Sequence, residues 1–431
     1  MAQKTKQWGA IIVMIALFAM IAFVTNLCTP MATIIKNQGE ISNVLAQIGN
    51  YGNFVAYLVM GIPAGMLISK FGYKKTALIG LVVGIVGILI QWASGLIDAG
   101  DGSNIGVVFG VYLLGAFISG LTMCILNCVV NPMLNLLGGG GNKGNQLIQI
   151  GGVFNSTAAV CCYILMGALI ADATKAKISD ATPALMIALA IFAIAFVVIL
   201  FTKIEEPEQA PVQISLVKGA MSYRHFALGA LAIFLYMGIE VGVPNYVLQY
   251  LTTGDKANGF EAISAGIAGL LVAVYWFMML IGRFVGAAIG NKISSRAMVT
   301  TVSIATLCLV LFGMFAPADT LVNFPGVDWG KLELIWQEIP VGIFAFLLVG
   351  LCTSVMWGAI FNMAVEGLGK YTAIASGIFM TMVFGCAVMM AIQGAVADAT
   401  DYITSFWVVV FCAAYILFYA LIGSRVSKKE E

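Results

Sequence analysis

The sequence predicts an all-α membrane protein of twelve transmembrane helices in two six-helix, pseudo-symmetric bundles. Three observations predict it. The first is composition: 61% of the 431 residues are hydrophobic, 10% are charged, and the mean hydropathy is +1.01, values far from those of soluble globular chains. The second is punctuation, because apolar stretches of roughly 20 residues or more, the length a helix needs to cross a bilayer, recur along the whole chain between short polar turns. The third is internal repetition about a polar midpoint.

The spans, within several residues at each end, are 9–35, 44–69, 75–95, 105–137, 147–172, 182–203, 225–251, 263–290, 297–316, 338–366, 372–397 and 403–424. After the second, Gly72 permits a tight turn among Lys70, Lys74 and Lys75. The fifth closes on "GALIADAT" from Gly167 and the eleventh on "GAVADAT" from Gly394, the same place in each half. A fainter echo pairs "GMLISKFGYKK" from Gly65 with "GAAIGNKISSR" from Gly286, at the ends of the second and eighth spans. Between the sixth and seventh spans lies the longest charged stretch, "IEEPEQAPVQISLVKGAMSYR". It divides the chain into a first bundle at 1–203, a linker at 204–224 and a second bundle at 225–431. Two parallel six-helix repeats with a central linker resemble the architecture of major facilitator transporters, whose solute site lies near the midplane between the halves.

Loop charge orients the spans. An even number puts both termini on one side, and with that side cytoplasmic, fifteen basic residues face inward: Lys4, Lys6, Lys70, Lys74, Lys75, Lys143, Lys203, Lys218, Arg224, Lys292, Arg296, Lys370, Arg425, Lys428 and Lys429. Only Lys36, Lys175, Lys177, Lys256 and Lys331 face outward. This bias predicts a plasma membrane protein, in a bacterium the inner membrane, with both termini cytoplasmic. The first apolar stretch is long enough to span and shows no convincing cleavage site, so it reads as a helix and not a signal peptide. A formal net charge of +1 offers no basic stripe for nucleic acid. All nine cysteines fall within predicted spans, where they read as packing residues and not as disulfides or metal ligands. The lone histidine, His225, at the cytoplasmic start of the seventh span, reads as a surface residue.

Within the spans, polar side chains mark the interior. Asn127, Asn131 and Asn135 follow one another at four-residue steps, and since each step advances about 40° around a helix, their amides share one stripe. Lipid gives an amide no partner, so the stripe must face protein, water or solute. Pro132, beside it, frees a backbone carbonyl upstream. The first span adds Asn26, Thr29 and Thr33, and the fifth adds Gln146, Gln149 and Asn155. In the second half, Glu240 is the sole acid well inside a span, and a carboxylate there must be protonated, paired or bound to a cation. Asn245 and Gln249 form another four-residue pair, while Trp357 and Asn362 supply an aromatic face and an amide from the tenth span. Each amide has an alternative use as glue between helices.

Amides, hydroxyls and an aromatic platform suit a neutral polyhydroxylated solute. A phosphate or carboxylate would call for buried Arg or Lys, and Arg283, the one embedded cation, sits near a cytoplasmic end. No His, Cys, Ser or acidic pair forms a catalytic or metal constellation, so an enzyme is not expected.

The sequence also resembles the fucose–galactose–glucose symporter family of the major facilitator superfamily, over most of its length. The second half carries the stronger match, in "FLYMGIEVG" from Phe234, "YWFMMLIGRFVG" from Tyr275, "IFNMAVEGLGKYTAIASGI" from Ile360 and "QGAVAD" from Gln393. In the first half "GIPAGMLISKFGYK", the Asn131–Pro132 pair and Phe154–Asn155 fit as well. The resemblance implies monosaccharide uptake by alternating access. Proton-driven members carry an aspartate and a glutamate where this chain has Thr29 and Asn127, neither of which titrates in an ordinary range. Coupling is therefore expected to depart from the family pattern. The candidate substrate residues are Asn26, Asn127, Asn131, Gln149, Asn245, Gln249, Trp357 and Asn362, with Glu240 and Thr29 as candidate coupling residues for Na+ or H+. No cofactor is expected, and the partners are a monosaccharide and membrane lipid, with the protein acting as a monomer. The competing readings are an uncoupled sugar facilitator and an exporter of an amphipathic small molecule.

Overall fold

The computed structural model describes residues 8–39, 43–97, 103–169, 178–204, 215–255, 260–263, 265–317, 319–328 and 333–426. The helices are α1 (Trp8–Gly39), α2 (Asn43–Leu96), α3 (Ile105–Leu137), α4 (Gly141–Leu169), α5 (Thr182–Phe201), the short α6 (Ser215–Met221), α7 (Arg224–Thr253), α8 (Ala265–Ile289) and α9 (Ser295–Phe315). An antiparallel hairpin of β1 (Leu321–Asp328) and β2 (Glu333–Pro340) follows, then α10 (Val341–Val365), α11 (Thr372–Met382), α12 (Gly385–Ala399) and α13 (Trp407–Phe418).

Among the described residues ten helical stretches are long and apolar enough to cross a membrane. One of them, Phe54–Leu96, has 43 residues, about 65 Å of helix and so two crossings of a hydrocarbon core of about 30 Å. It breaks at Gly72, whose φ of 81° and ψ of 173° form the turn the sequence placed there. With α2 counted as two passes and α4 added, the helices number twelve.

The chain divides into two compact units, one of Met1–Ser222 with Gly367–Phe384, the other of Tyr223–Glu366 with Gly385–Glu431. In the first, the second leg of α2 packs on α3 through a glycine seam. A Cβ on Gly87 would lie 2.7 Å from the Ser119 amide nitrogen, and one on Gly115 would lie 2.7 Å from that of Gln91. Two helices approach that closely only where side chains are missing. The same device seats α11 on the first leg of α2, at Gly61, Gly65 and Gly377. In the second unit α7 is central, lying against α8, α10, α12 and α13.

Two features depart from the sequence reading. The tenth helix begins at Val341, not 338, because the preceding residues belong to β2. The eleventh span is interrupted between Met382 and Gly385, where Val383 and Phe384 donate to the carbonyls of Met380 and Thr381 at 3.2 Å in a tightened turn.

Candidate functional site

In the first unit the amide stripe of α3 faces inward. Asn131 is fully buried and Asn135 nearly so. Asn127 donates through Nδ2 to the Tyr57 hydroxyl of α2 at 2.9 Å. Asn131 donates to the Asn127 carbonyl oxygen at 3.0 Å and lies 3.5 Å from its side-chain oxygen. From α4, Gln149 Nε2 lies 3.5 Å from Asn145 Oδ1, and Asn155 donates to the Phe18 carbonyl of α1 at 2.8 Å. Asn26 donates to the Ala22 carbonyl one turn back. The side chains of Thr29 and Thr33 lie outside the described residues.

Pro132 behaves as its chemistry requires. Without an N–H it leaves the carbonyl of Cys128, four residues upstream, with no helical donor, and the Ser376 hydroxyl of α11 lies 3.4 Å from that oxygen. A second proline repeats the arrangement in the second unit. Pro244 of α7 frees the carbonyl of Glu240, and the Tyr275 hydroxyl of α8 donates to it at 3.0 Å. That hydroxyl also lies 3.1 Å from Thr353 Oγ1 of α10.

The Glu240 carboxylate itself is paired. Its Oε1 lies 3.8 Å from Nη2 of Arg283, with the two side chains 14% and 9% exposed. The Tyr236 hydroxyl of the same helix lies 3.4 Å from the Thr353 carbonyl oxygen of α10, and the Tyr236 ring packs on Trp357 at 6.1 Å between centroids. Arg283, the embedded cation near the cytoplasmic end of its span, thus reaches from α8 to the acid. Tyr275→Phe would leave the Glu240 carbonyl without its hydroxyl donor, at a cost of about 1–3 kcal/mol in stability. The loss should shrink in a Pro244→Ala background, where the restored amide can donate instead. A double-mutant cycle by denaturant or thermal unfolding checks this.

The other candidates divide. Asn245 Nδ2 is buried and has no hydrogen-bond partner among the described residues, and Gln249 is half-buried one turn further along α7. Asn362, in contrast, donates to Ser295 Oγ at the start of α9 at 3.0 Å, which ties two helices together. His225 is not at the surface. It is completely buried, and its Nε2 lies 2.9 Å from the Glu366 carbonyl at the end of α10. Sequence reasoning missed Tyr57, Tyr236, Tyr275 and Thr353, the hydroxyl partners of the polar helices. The eight described cysteines are free, and no group of three or more His, Cys, Asp or Glu among the described residues could hold a metal ion.

Comparison with known families is decisive for the class. The model of the Major Facilitator Superfamily matches residues 11–384. The chain belongs to that superfamily. It is therefore a multi-pass membrane protein of a transporter family, not an enzyme. Among superfamily relatives, a glucose/galactose transporter of Brucella abortus is 29% identical, with 95% of this chain and 92% of that protein covered. The L-fucose-proton symporter of Escherichia coli is 20% identical, with 96% and 92% covered. The crystal structure of the superfamily transporter FucP in the outward conformation superposes with a TM-score of 0.77 at 20% identity, covering 95% of this chain and 97% of that one. The relation to glucose/galactose transporters and to FucP agrees with the symporter family that the motifs resemble.

Proposed function

We propose that this superfamily member imports a neutral monosaccharide by alternating access, coupled to a cation through the Glu240–Arg283 pair. The observation that carries the substrate class is the neutral polar cluster inside the first unit, where Asn127, Tyr57, Asn131, Asn145 and Gln149 offer amides and a phenol. Such groups donate to and accept from sugar hydroxyls without demanding charge. The relatives' names, glucose/galactose transporter and L-fucose-proton symporter, support the same class. Asn245, with its unpartnered buried amide nitrogen, is the second unit's first candidate donor. Asn26, Gln249, Trp357 and Asn362 remain in the proposed binding set, Asn362 with its amide on Ser295 Oγ. In this reading 204–224 links the halves 1–203 and 225–431, and both termini are cytoplasmic.

The geometry of the pair supports coupling. A separation of 3.8 Å exceeds the roughly 2.7–2.9 Å of a charge-assisted hydrogen bond, so the carboxylate keeps lone pairs for a proton or a sodium ion that competes with Arg283. A second reading rests on the same contact: Arg283 already neutralises Glu240, which suits a facilitator with no coupling ion.

Uptake of labelled monosaccharides into proteoliposomes, under an imposed sodium gradient, a proton gradient or neither, tests these readings. Accumulation above equilibrium with one ion supports symport, and equilibration indifferent to both ions supports the facilitator. Absence of uptake for every sugar overturns the substrate class. Asn127→Ala is expected to weaken sugar binding by about tenfold, the worth of roughly one hydrogen bond of 1–1.5 kcal/mol. Folded yield should stay near wild type, and an equal fall in yield and affinity would instead make Asn127 a helix tie.

A further inference from the structure

The hairpin between α9 and α10 carries apolar side chains on both faces. Its register pairs Val322 with Ile339, Phe324 with Gln337 and Gly326 with Ile335 on one side. Leu321, Pro325, Leu334 and Trp336 share the other, with one polar rung of Asn323 and Glu338. The first side is covered by protein at Phe324, Gly326 and Ile339, while Val322 at its edge is 40% exposed. Phe324 meets Phe344 in the first turn of α10 at 6.1 Å between ring centroids, Ile267 in the first turn of α8 lies against Gly326, and Ile339 is fully buried. The second side stays open, with Leu334 73% and Trp336 69% exposed. A hairpin with one wet face alternates apolar inward and polar outward. This one departs from that alternation, with apolar residues on both faces between the acidic Asp328–Glu333 rung at its tip and its base.

Its position identifies what covers the second side. The hairpin closes at its base where Val341 donates to the Thr320 carbonyl at 2.9 Å, between the last turn of α9 and the first of α10. Its middle residues touch the first turns of α8 and α10, so it lies beside the ends of the spans and does not stand away from them. The end of α9, just before the hairpin, is also apolar and open: Phe315 is 71% exposed and packs edge-on against Trp407 at the start of α13, with ring centroids 6.3 Å apart. An aromatic rim at one end of a helix bundle marks the headgroup layer of a bilayer, which tryptophan prefers.

We propose that the outer face of this hairpin is immersed in the interfacial layer of the protein's own membrane. Trp336 and Leu334 insert among headgroups and upper acyl chains, and the hairpin anchors the α9–α10 end of the second unit in lipid. The proposal concerns an interaction surface and stands whichever solute is carried.

The test is tryptophan quenching in reconstituted vesicles. Subtracting the emission of Trp336→Phe from that of the wild type isolates Trp336 among the seven tryptophans. The expected difference emission is blue-shifted, quenched by lipid brominated near the headgroup, and protected from iodide present on both sides of the bilayer. Quenching by iodide without quenching by lipid would put the face in water and overturn the proposal. Shielding from both quenchers would mean that protein, such as a second copy of the chain, covers it, and would overturn it equally. Should Trp336→Phe fold poorly, Leu334→Trp places an added reporter on the same face, and its added emission must show the same pattern.

Discussion

Glu240→Ala is expected to lower stability by roughly 3–5 kcal/mol, the cost of removing one member of a buried ion pair. Arg283 would remain inside the second unit, with its side chain 9% exposed and without that carboxylate. Desolvating a cation is expensive in any protein and more so within a membrane span, where water cannot be recruited easily. The paired replacement Glu240→Leu with Arg283→Met should restore much of the stability, because exchanging a whole buried ion pair for apolar groups is often neutral or favourable. It should not restore accumulation of sugar above equilibrium, because no carboxylate then remains at that place. Thermal unfolding in detergent separates the single from the double variant, and uptake against a gradient separates folding from coupling. Wild-type stability and accumulation in Glu240→Ala would remove the pair from both roles.

Gly61→Leu should have the next largest effect, a loss of at least about tenfold in transport, equivalent to about 1.4 kcal/mol and within the usual range for overpacking. A Cβ at Gly61 would lie 2.5 Å from the Thr381 amide nitrogen and 2.6 Å from the Gly377 carbonyl oxygen. Both are backbone atoms that cannot rotate aside, so the leucine must push α11 off α2. Gly52→Leu, on the same helix where no atom lies within 4 Å, is the matched control. Uptake and expression measured together decide the matter. Equal behaviour of the two variants would show that the α2–α11 approach is not needed.

The elements visible in the sequence were those set by length and hydropathy. The turn at Gly72 was visible too, because only glycine adopts its backbone angles without strain. The hairpin was hidden because β1 contains Pro325 and Gly326, and because both faces are apolar, so no alternation stood out. The interruption after Met382 was hidden because no proline marks it. At the candidate site, Glu240 announced itself by isolation, but its partner did not. Arg283 reads as embedded near the cytoplasmic end of the eighth span, and only the packing of α7 and α8 brings it level with the acid. The prolines were half legible: Pro132 and Pro244 each declare a carbonyl without a donor, yet nothing local says that Ser376 and Tyr275 will be nearest. The helix contact of Asn362 and the burial of His225 were illegible for a shared reason. Each takes its partner from another helix, Ser295 of α9 and Glu366 at the end of α10, which periodicity within one helix cannot reveal.

The pairing of Glu240 with Arg283 also bears on voltage. Together the two side chains sum to zero charge, so an intact pair carried through part of the membrane field does no electrical work. A cation that joins the pair changes this, because the loaded protein then carries one net charge inward. Each charge crossing the full field is worth about 2.3 kcal/mol per 100 mV, which corresponds to roughly fifty-fold accumulation of an uncharged sugar. The membrane potential alone, with no difference in ion concentration, would then drive uptake in a symporter and leave a facilitator unmoved.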